Sequence, residues 1–266
     1  MSKLKKRIIA LSIVVASVLI VAITLCFTLF AVHEIRVEFA TTTNVLKGEE
    51  RSIIEAGELK MNSCIFFQWK SDQAKRIEKV FPYARVINIE SVAPWTLVIH
   101  VAEREEYYEF EEAGKLIVTD QTLKVLRVEN SIPSETKNIR VKGVSILTSD
   151  KQPGATLQTS ANFIRNIASA LFENNRLIYE QKGMFASFEI GVRREPTTKR
   201  DELFVRLVDR GGFEVVVYHA EHKLTEKIQK MLASVPTISL EDRGTKYIEI
   251  GDLFDGGIYW LDKVKT

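Results

Sequence analysis

The residues that could do chemistry are few and scattered. The chain holds four histidines. His219 and His222 are spaced H-x-x-H, which is half of a metal-ligand pattern, but spacing suggests no third ligand to complete it. They read as solvated side chains where a strand gives way to a helix. His33 follows an apolar run, and His100 lies on a strand face opposite the apolar row. The acidic group Glu103, Glu105, Glu106, Glu109, Glu111 and Glu112 could supply the paired carboxylates of a glycosidase. It sits on a strand junction with alternating apolar neighbours, and nothing else marks a sugar cleft. A solvated face or a salt-bridged domain border is the expectation. No G-x-S-x-G, H-E-x-x-H, P-loop or dinucleotide fingerprint occurs. The residues therefore point to no catalytic group, no metal and no cofactor, and the chain reads as a binding protein rather than an enzyme. Trp69 and Trp95 read as packing anchors. Trp260 is the exception, because an aromatic residue on a terminal strand can anchor a partner.

Composition narrows the partners. The net charge is +2, and Lys3, Lys5, Lys6 and Arg7 account for more than all of it. The rest of the chain is slightly acidic, which argues against a nucleic-acid surface. There are two cysteines, Cys26 and Cys64. Cys26 falls inside an apolar run and Cys64 well after it, so they are expected not to pair. Cys64 reads as a small buried apolar side chain beside Ile65, Phe66 and Phe67.

That apolar run, Ile8 to Val32, contains no charged residue. It is about 25 residues long, and about 20 cross a bilayer core. The basic residues ahead of it place the N-terminus in the cytoplasm and the C-terminus outside. The run is longer than a signal-peptide core and no small-x-small cleavage site follows it. A retained transmembrane helix over 8–32 is expected, after a short cytoplasmic segment at 1–7.

The next elements must position whatever binds. Ile35, Val37 and Phe39 alternate with charged residues, as in a half-buried strand. A polar helix-compatible stretch runs from Lys47 to Ala56, with Gly57 placed for a left-handed cap. Ser71 is a candidate N-cap for a helix carrying Ala74, Ile77, Val80 and Phe81 on one face, and Pro82 ends it. Strands follow at Ala84 to Ser91 and, after Ala93-Pro94, at Trp95, Leu97, Ile99 and Val101. The expected order is strand, helix, helix, strand, strand over 33–104.

A larger unit is expected over 105–262, with a tail at 263–266. Tyr107 to Glu111 and Leu116 to Val118 flank Ala113-Gly114 as a hairpin, and Val125-Leu126 continues it. Ile139 and Val141 mark another strand. Ile164, Ile167, Ala168, Leu171 and Phe172 share one helical face, and Leu224, Ile228, Met231, Leu232 and Val235 share another. Phe185 to Ile190 is a strand. Leu203 to Val208 turns through Asp209-Arg210-Gly211-Gly212 into Phe213 to Tyr218, where the glycine pair permits positive backbone angles. Tyr247, Ile248, Glu249 and Ile250 form a strand. Asp255-Gly256-Gly257 turns into Ile258, Tyr259, Trp260 and Leu261.

Several segments resemble the FtsQ/DivIB family of bacterial cell-division proteins. "EIRVEF", "IIEAGELKMNSCIFF", "VFPYARVINIES" and "APWTLVIHVAER" are similar to that family's POTRA domain. Pro82 and Val86 match its helix-closing proline and following strand, and Pro94, Leu97, Ile99, Val101, Glu103 and Arg104 match its hairpin strand. Lys227-Ile228 resembles the lysine-aliphatic pair ahead of its final strands. Three departures stand out. The glycine that often closes the first strand is replaced near Ala40 and Thr41. Glu105-Glu106 stands where a proline often follows Glu-Arg. Glu249, Ile250 and Gly251 stand where the family often has Asp-Leu-Arg.

The resemblance implies an α+β fold: a transmembrane helix, a β-α-α-β-β POTRA domain and a larger mixed β-sheet domain with two main helices. It implies a single-pass scaffold of the divisome at the septum, binding FtsL-like and DivIC/FtsB-like single-pass proteins and the septal peptidoglycan synthase complex. Strand addition is the expected mode, on Tyr247, Ile248, Glu249 and Ile250 or on Ile258, Tyr259, Trp260 and Leu261. The competing expectations are a membrane-anchored wall hydrolase and a POTRA-bearing secretion or sensor component.

Overall fold

A computed structural model of the chain describes residues 3–41, 44–65, 70–134, 138–160, 164, 185–194, 199–220, 222–234, 237–251 and 258–262. It divides into two units, Met1–Arg104 and Glu105–Thr266.

The first unit opens with α1 (Lys3–Thr28), 26 residues long. Every described side chain from Leu11 to Leu25 is exposed. The expected transmembrane helix is corrected here: among the described residues no helix is long and apolar enough to cross a membrane. The fold is α+β with two sheets, without a membrane-spanning helix among the described residues.

After α1 the backbone of 30–32 runs against 62–65. Val32 N–H donates to Ser63 O, Asn62 N–H to Val32 O and Ile65 N–H to Phe30 O. Cys64 lies in this ladder opposite Ala31, is 1% exposed and is disulfide-bonded. The expectation of unpaired cysteines is corrected. The ladder sets the chain just after α1 beside Cys64, so the two stretches that hold the cysteines are not kept apart.

A three-stranded sheet follows, in the order β1-β3-β2, from β1 (Glu34–Phe39), β2 (Ala84–Val92) and β3 (Thr96–Glu103). β2 and β3 are an antiparallel pair, while β1 runs parallel to β3. Helices α2 (Glu50–Ala56) and α3 (Lys70–Val80) bury Ile53 and Ile77 with Leu46, Ala84, Ile89, Ile99 and Val101. Gly57 does not take the expected left-handed cap: its φ is −70°. The left-handed turn falls on Glu58, at φ 49°. Gly57 serves by its size, because a Cβ there would lie 3.1 Å from Ile77 Cδ1. The stretch just before α2 is held by Glu103, whose Oε2 accepts the amides of Val45 and Leu46 at 3.0 and 2.9 Å.

The second unit is built on a nine-stranded sheet ordered β12-β11-β10-β9-β8-β7-β4-β5-β6. Its strands are β4 (Tyr108–Glu112), β5 (Lys115–Thr119), β6 (Val125–Glu129), β7 (Ile139–Lys142), β8 (Phe185–Arg194), β9 (Asp201–Asp209), β10 (Glu214–Tyr218), β11 (Lys246–Ile250) and β12 (Ile258–Asp262). Parallel pairings at β4/β7, β7/β8 and β10/β11 join antiparallel hairpins. The core gathers Tyr108, Phe110, Phe188, Phe213, Val215, Val217, Ile248 and Ile250 with Ile228 and Met231 of α4 (Leu224–Ser234). Each large apolar side chain buried this way contributes about 1.5–3 kcal/mol. Of the other expected helix, Ile164 is described and fully buried. Ile167, Ala168, Leu171 and Phe172 lie outside the described residues, as do Val235 and the turn 255–257.

A short helix, α5 (Leu240–Thr245), precedes β11 and has no counterpart in the expectations. Ser239 caps it, its hydroxyl accepting from the Asp242 amide. In the β9–β10 hairpin only Gly212 takes positive φ, at 82°. Asp209 does the remaining work by accepting the Phe213 amide at 2.8 Å.

Candidate functional site

The sheet order separates the two candidate strands. β11 is hydrogen-bonded on both sides, to β10 in parallel and to β12 antiparallel. Tyr247, Ile248, Glu249 and Ile250 are therefore interior, and their assignment to an edge is corrected. The sequence shows two strands in succession but not that the second seals the first. β12, with Ile258, Tyr259, Trp260 and Leu261, is the terminal strand, and among the described residues β11 is its one partner in the sheet. One row of its backbone N–H and C=O groups has no strand partner among the described residues, as at a sheet edge. Ile258 packs partly buried against the core, and Leu261 is 37% exposed. Tyr259 pairs in register with Glu249, and Trp260 with Ile248.

Strand alternation splits β11 between two faces. Ile248 and Ile250 are fully buried, whereas Tyr247 and Glu249 are half-buried on the opposite face. That opposite face carries a connected polar network. Glu249 Oε1 accepts the Tyr218 hydroxyl at 2.8 Å and the Tyr247 hydroxyl at 3.3 Å. The Arg193 guanidinium lies over the Tyr218 ring, 3.2 Å from its centroid. Arg193 also hydrogen-bonds Glu202, whose side chain is 2% exposed and which pairs with His219 Nε2 at 2.8 Å. A carboxylate this deeply buried requires such partners. Phe204 packs edge-on to Tyr218 and covers Gly191, where a Cβ would meet its ring at 2.4 Å.

Lys227 on α4 holds the end of β10. Its ammonium donates to Tyr218 O at 2.8 Å and to His219 O at 3.0 Å. His219 is left-handed there, at φ 47°, and its imidazole turns back to Glu202. Burial first, and the Glu249 carboxylate second, hold the Tyr218 hydroxyl well above the ordinary range for tyrosine. The Tyr247 hydroxyl is also raised, by burial and by Glu249. Both phenols thus stay protonated and donate to Glu249 at neutral pH.

His219 is not a freely solvated side chain, since its Nε2 lies 2.8 Å from the buried Glu202 carboxylate. Among the described residues no cluster of His, Cys, Asp and Glu could hold a metal ion. His100 sits between Glu38 at 3.5 Å and Glu90 at 3.3 Å, across the three strands of the first unit. The acidic group is matched by arginines and amides rather than by a cleft. Glu106 takes Arg127 at 2.6 Å and Asn138 at 3.0 Å. Glu109 takes Asn138 at 3.1 Å and Arg140, and Glu111 takes Arg140 at 3.1 Å.

Arg193, Glu202 and Tyr218 have no role in the sequence reading. The signal along β9 is the alternation of Glu202, Phe204 and Arg206 with Leu203, Val205 and Leu207, which marks a half-buried face without saying which residues meet.

No protein-family model and no curated protein matches the chain. The functional reading therefore rests on the geometry of the sheet and on the sequence patterns.

Proposed function

We propose that this chain is a scaffold of the bacterial division machinery, acting outside the cytoplasm at the septal cell membrane. It binds rather than catalyses. Its partners are FtsL-like and DivIC/FtsB-like division proteins, through which it supports the septal peptidoglycan synthase complex. The observation that carries this reading is β12, the terminal strand of a large sheet, one backbone edge of which pairs with no strand among the described residues. Such an edge favours addition of a strand from another chain, with main-chain hydrogen bonds for affinity and side chains for selection.

Two further observations support it. The first unit joins two helices to a three-stranded sheet in the order β-α-α-β-β, on the segments that resemble a POTRA domain. The disulfide at Cys64 suits an oxidising compartment outside the cytoplasm.

A fluorescent fusion of the full chain, expressed in dividing bacteria, tests the role. A band at mid-cell is expected. A uniform envelope signal through the division cycle would contradict it and favour a secretion or sensor component.

A further inference from the structure

Resting on the membrane location proposed above, we infer that the end of the first unit next to α1 is a lipid-docking rim, with Trp95 seated at the headgroup–acyl boundary of one leaflet. Three stretches of chain meet at this end. Val32 N–H donates to Ser63 O and Ile65 N–H to Phe30 O, both at 2.9 Å. His33 N–H donates to Trp95 O at 2.9 Å, and the His33 and Trp95 rings lie 6.3 Å apart. The Ser91 hydroxyl reaches Ile65 O at 3.5 Å, which ties the end of β2 to the same place.

This end is apolar on the outside. Leu29, Met61, Val92 and Trp95 are between 42% and 57% exposed. They stand on a packed base, because Val32, Ile65 and Leu97 beneath them are buried as a cluster of their own. The charge pattern is local as well. The chain is 27% charged, yet residues 29–33, 60–64 and 92–96 include no Asp or Glu. Lys60, which is exposed, supplies a cation at the margin.

These features select a lipid surface over a protein partner. Leu29 continues the surface of α1, whose described side chains from Leu11 to Leu25 are all exposed. Together they make one apolar surface larger than the scattered patches of a protein in water. The helix also keeps its hydroxyls to itself: Ser17 and Thr24 donate to the carbonyls of Ile13 and Ile20, each at 2.9 Å. Such turned-back hydroxyls suit a medium that offers no hydrogen bonds. A tryptophan with an apolar body and one N–H is favoured at the headgroup level. A lysine beside it reaches lipid phosphates, and the lack of carboxylates removes repulsion from an anionic leaflet. The contact asks for one leaflet and for no crossing.

The test uses the full-length chain with Trp69→Phe and Trp260→Phe, so that Trp95 is the one tryptophan left of three. It is mixed with vesicles of phosphatidylcholine and phosphatidylglycerol whose upper acyl chains are plain or brominated, and bound chain is collected by flotation. Bromine is expected to cut the Trp95 emission of the bound chain by at least about half. Adding Met61→Glu and Val92→Glu is expected to remove most of that quenching, with the circular dichroism spectrum unchanged. Chain that floats but emits equally in both vesicles would overturn the inference and leave the membrane location intact. Quenching unaltered by the two glutamates would show that the rim does not make the contact, and would also overturn it. Trp95 emission that moves to the blue with protein concentration, in the absence of vesicles and with no quenching in their presence, would assign the face to a second copy instead. Chain that does not float would contradict the membrane location and the inference with it.

Discussion

Single residues govern the polar face beside the edge strand. Tyr218 and Tyr247 are useful to Glu249 only as neutral donors, and burial keeps them so. The hydroxyl of Tyr107, also buried, is shifted upward by burial as well. A tyrosine that resists ionisation in the folded state holds its proton while the unfolded chain loses it. Its stabilising contribution is complete below the ordinary tyrosine value, near 10, and is lost as pH rises beyond it. A spectrophotometric titration should find that part of the tyrosinate signal appears only with unfolding. Tyr218→Phe should reduce that delayed fraction. If all tyrosines titrate near 10 in the folded protein, the burial of these hydroxyls is wrong.

Gly143 gives a second test at this scale. It follows β7 at φ 75°, and a Cβ there would stand 1.9 Å from Ile190 O. That atom is backbone in the adjacent strand and cannot swing away. Gly212 has a similar φ of 82° but open space around it. Gly143→Ala should destabilise the second unit by more than about 2 kcal/mol, and Gly212→Ala by about 1 kcal/mol. Urea unfolding separates the two, and equal losses would refute the close approach of β7 to β8.

Elements show what the sequence could convey. Alternation marked β1 and β3, because a half-buried strand leaves that pattern wherever it pairs. Pairing itself leaves no local trace. Nothing in Glu34 to Phe39 says that β1 runs parallel to β3, and nothing in Tyr247 to Ile250 says that β12 lies beyond it. The edge was legible as a terminal strand, but its assignment to β11 failed for that reason. α5 was missed because Leu240–Thr245 has a single large apolar residue and so no helical period. Its one signal was Ser239 three residues before Asp242, an N-cap with an acid at the third position. The left-handed turn was misplaced by one residue, from Gly57 to Glu58, because glycine also serves where space is short.

The clamp from α4 to β10 belongs to this scale. Lys227 is 6% exposed, and its ammonium fixes the two carbonyls that end β10. Lys227→Met keeps the stem but leaves those bonds unmade, at a cost of about 1–3 kcal/mol. Because Tyr218 and His219 hang from the same carbonyls, the network around Glu249 and Glu202 should loosen with it. Chemical denaturation should show the loss, and hydrogen exchange should quicken along β10. Unchanged exchange there would mean that the clamp is incidental.

For the whole molecule, the two units divide the labour. The chain passes from Arg104, whose guanidinium pairs with Glu78 at 3.0 Å, to Tyr107, whose amide donates to Thr119 O at 2.8 Å. Each unit has its own sheet and its own buried core. A change confined to the last strand should therefore leave the first unit folded. The central claim is that β12 receives a strand from the division partners. Co-purification of the DivIC/FtsB-like partner with the wild-type chain and with Ile258→Pro and Tyr259→Pro tests it most directly. Neighbouring residues of a strand turn their N–H groups to opposite sides, so one proline removes an outward N–H and the other one that faces β11, and either disturbs the edge. The account predicts that both variants lose the partner while the circular dichroism of the first unit's helices and its protease resistance persist. Capture at the wild-type level by both variants would contradict it.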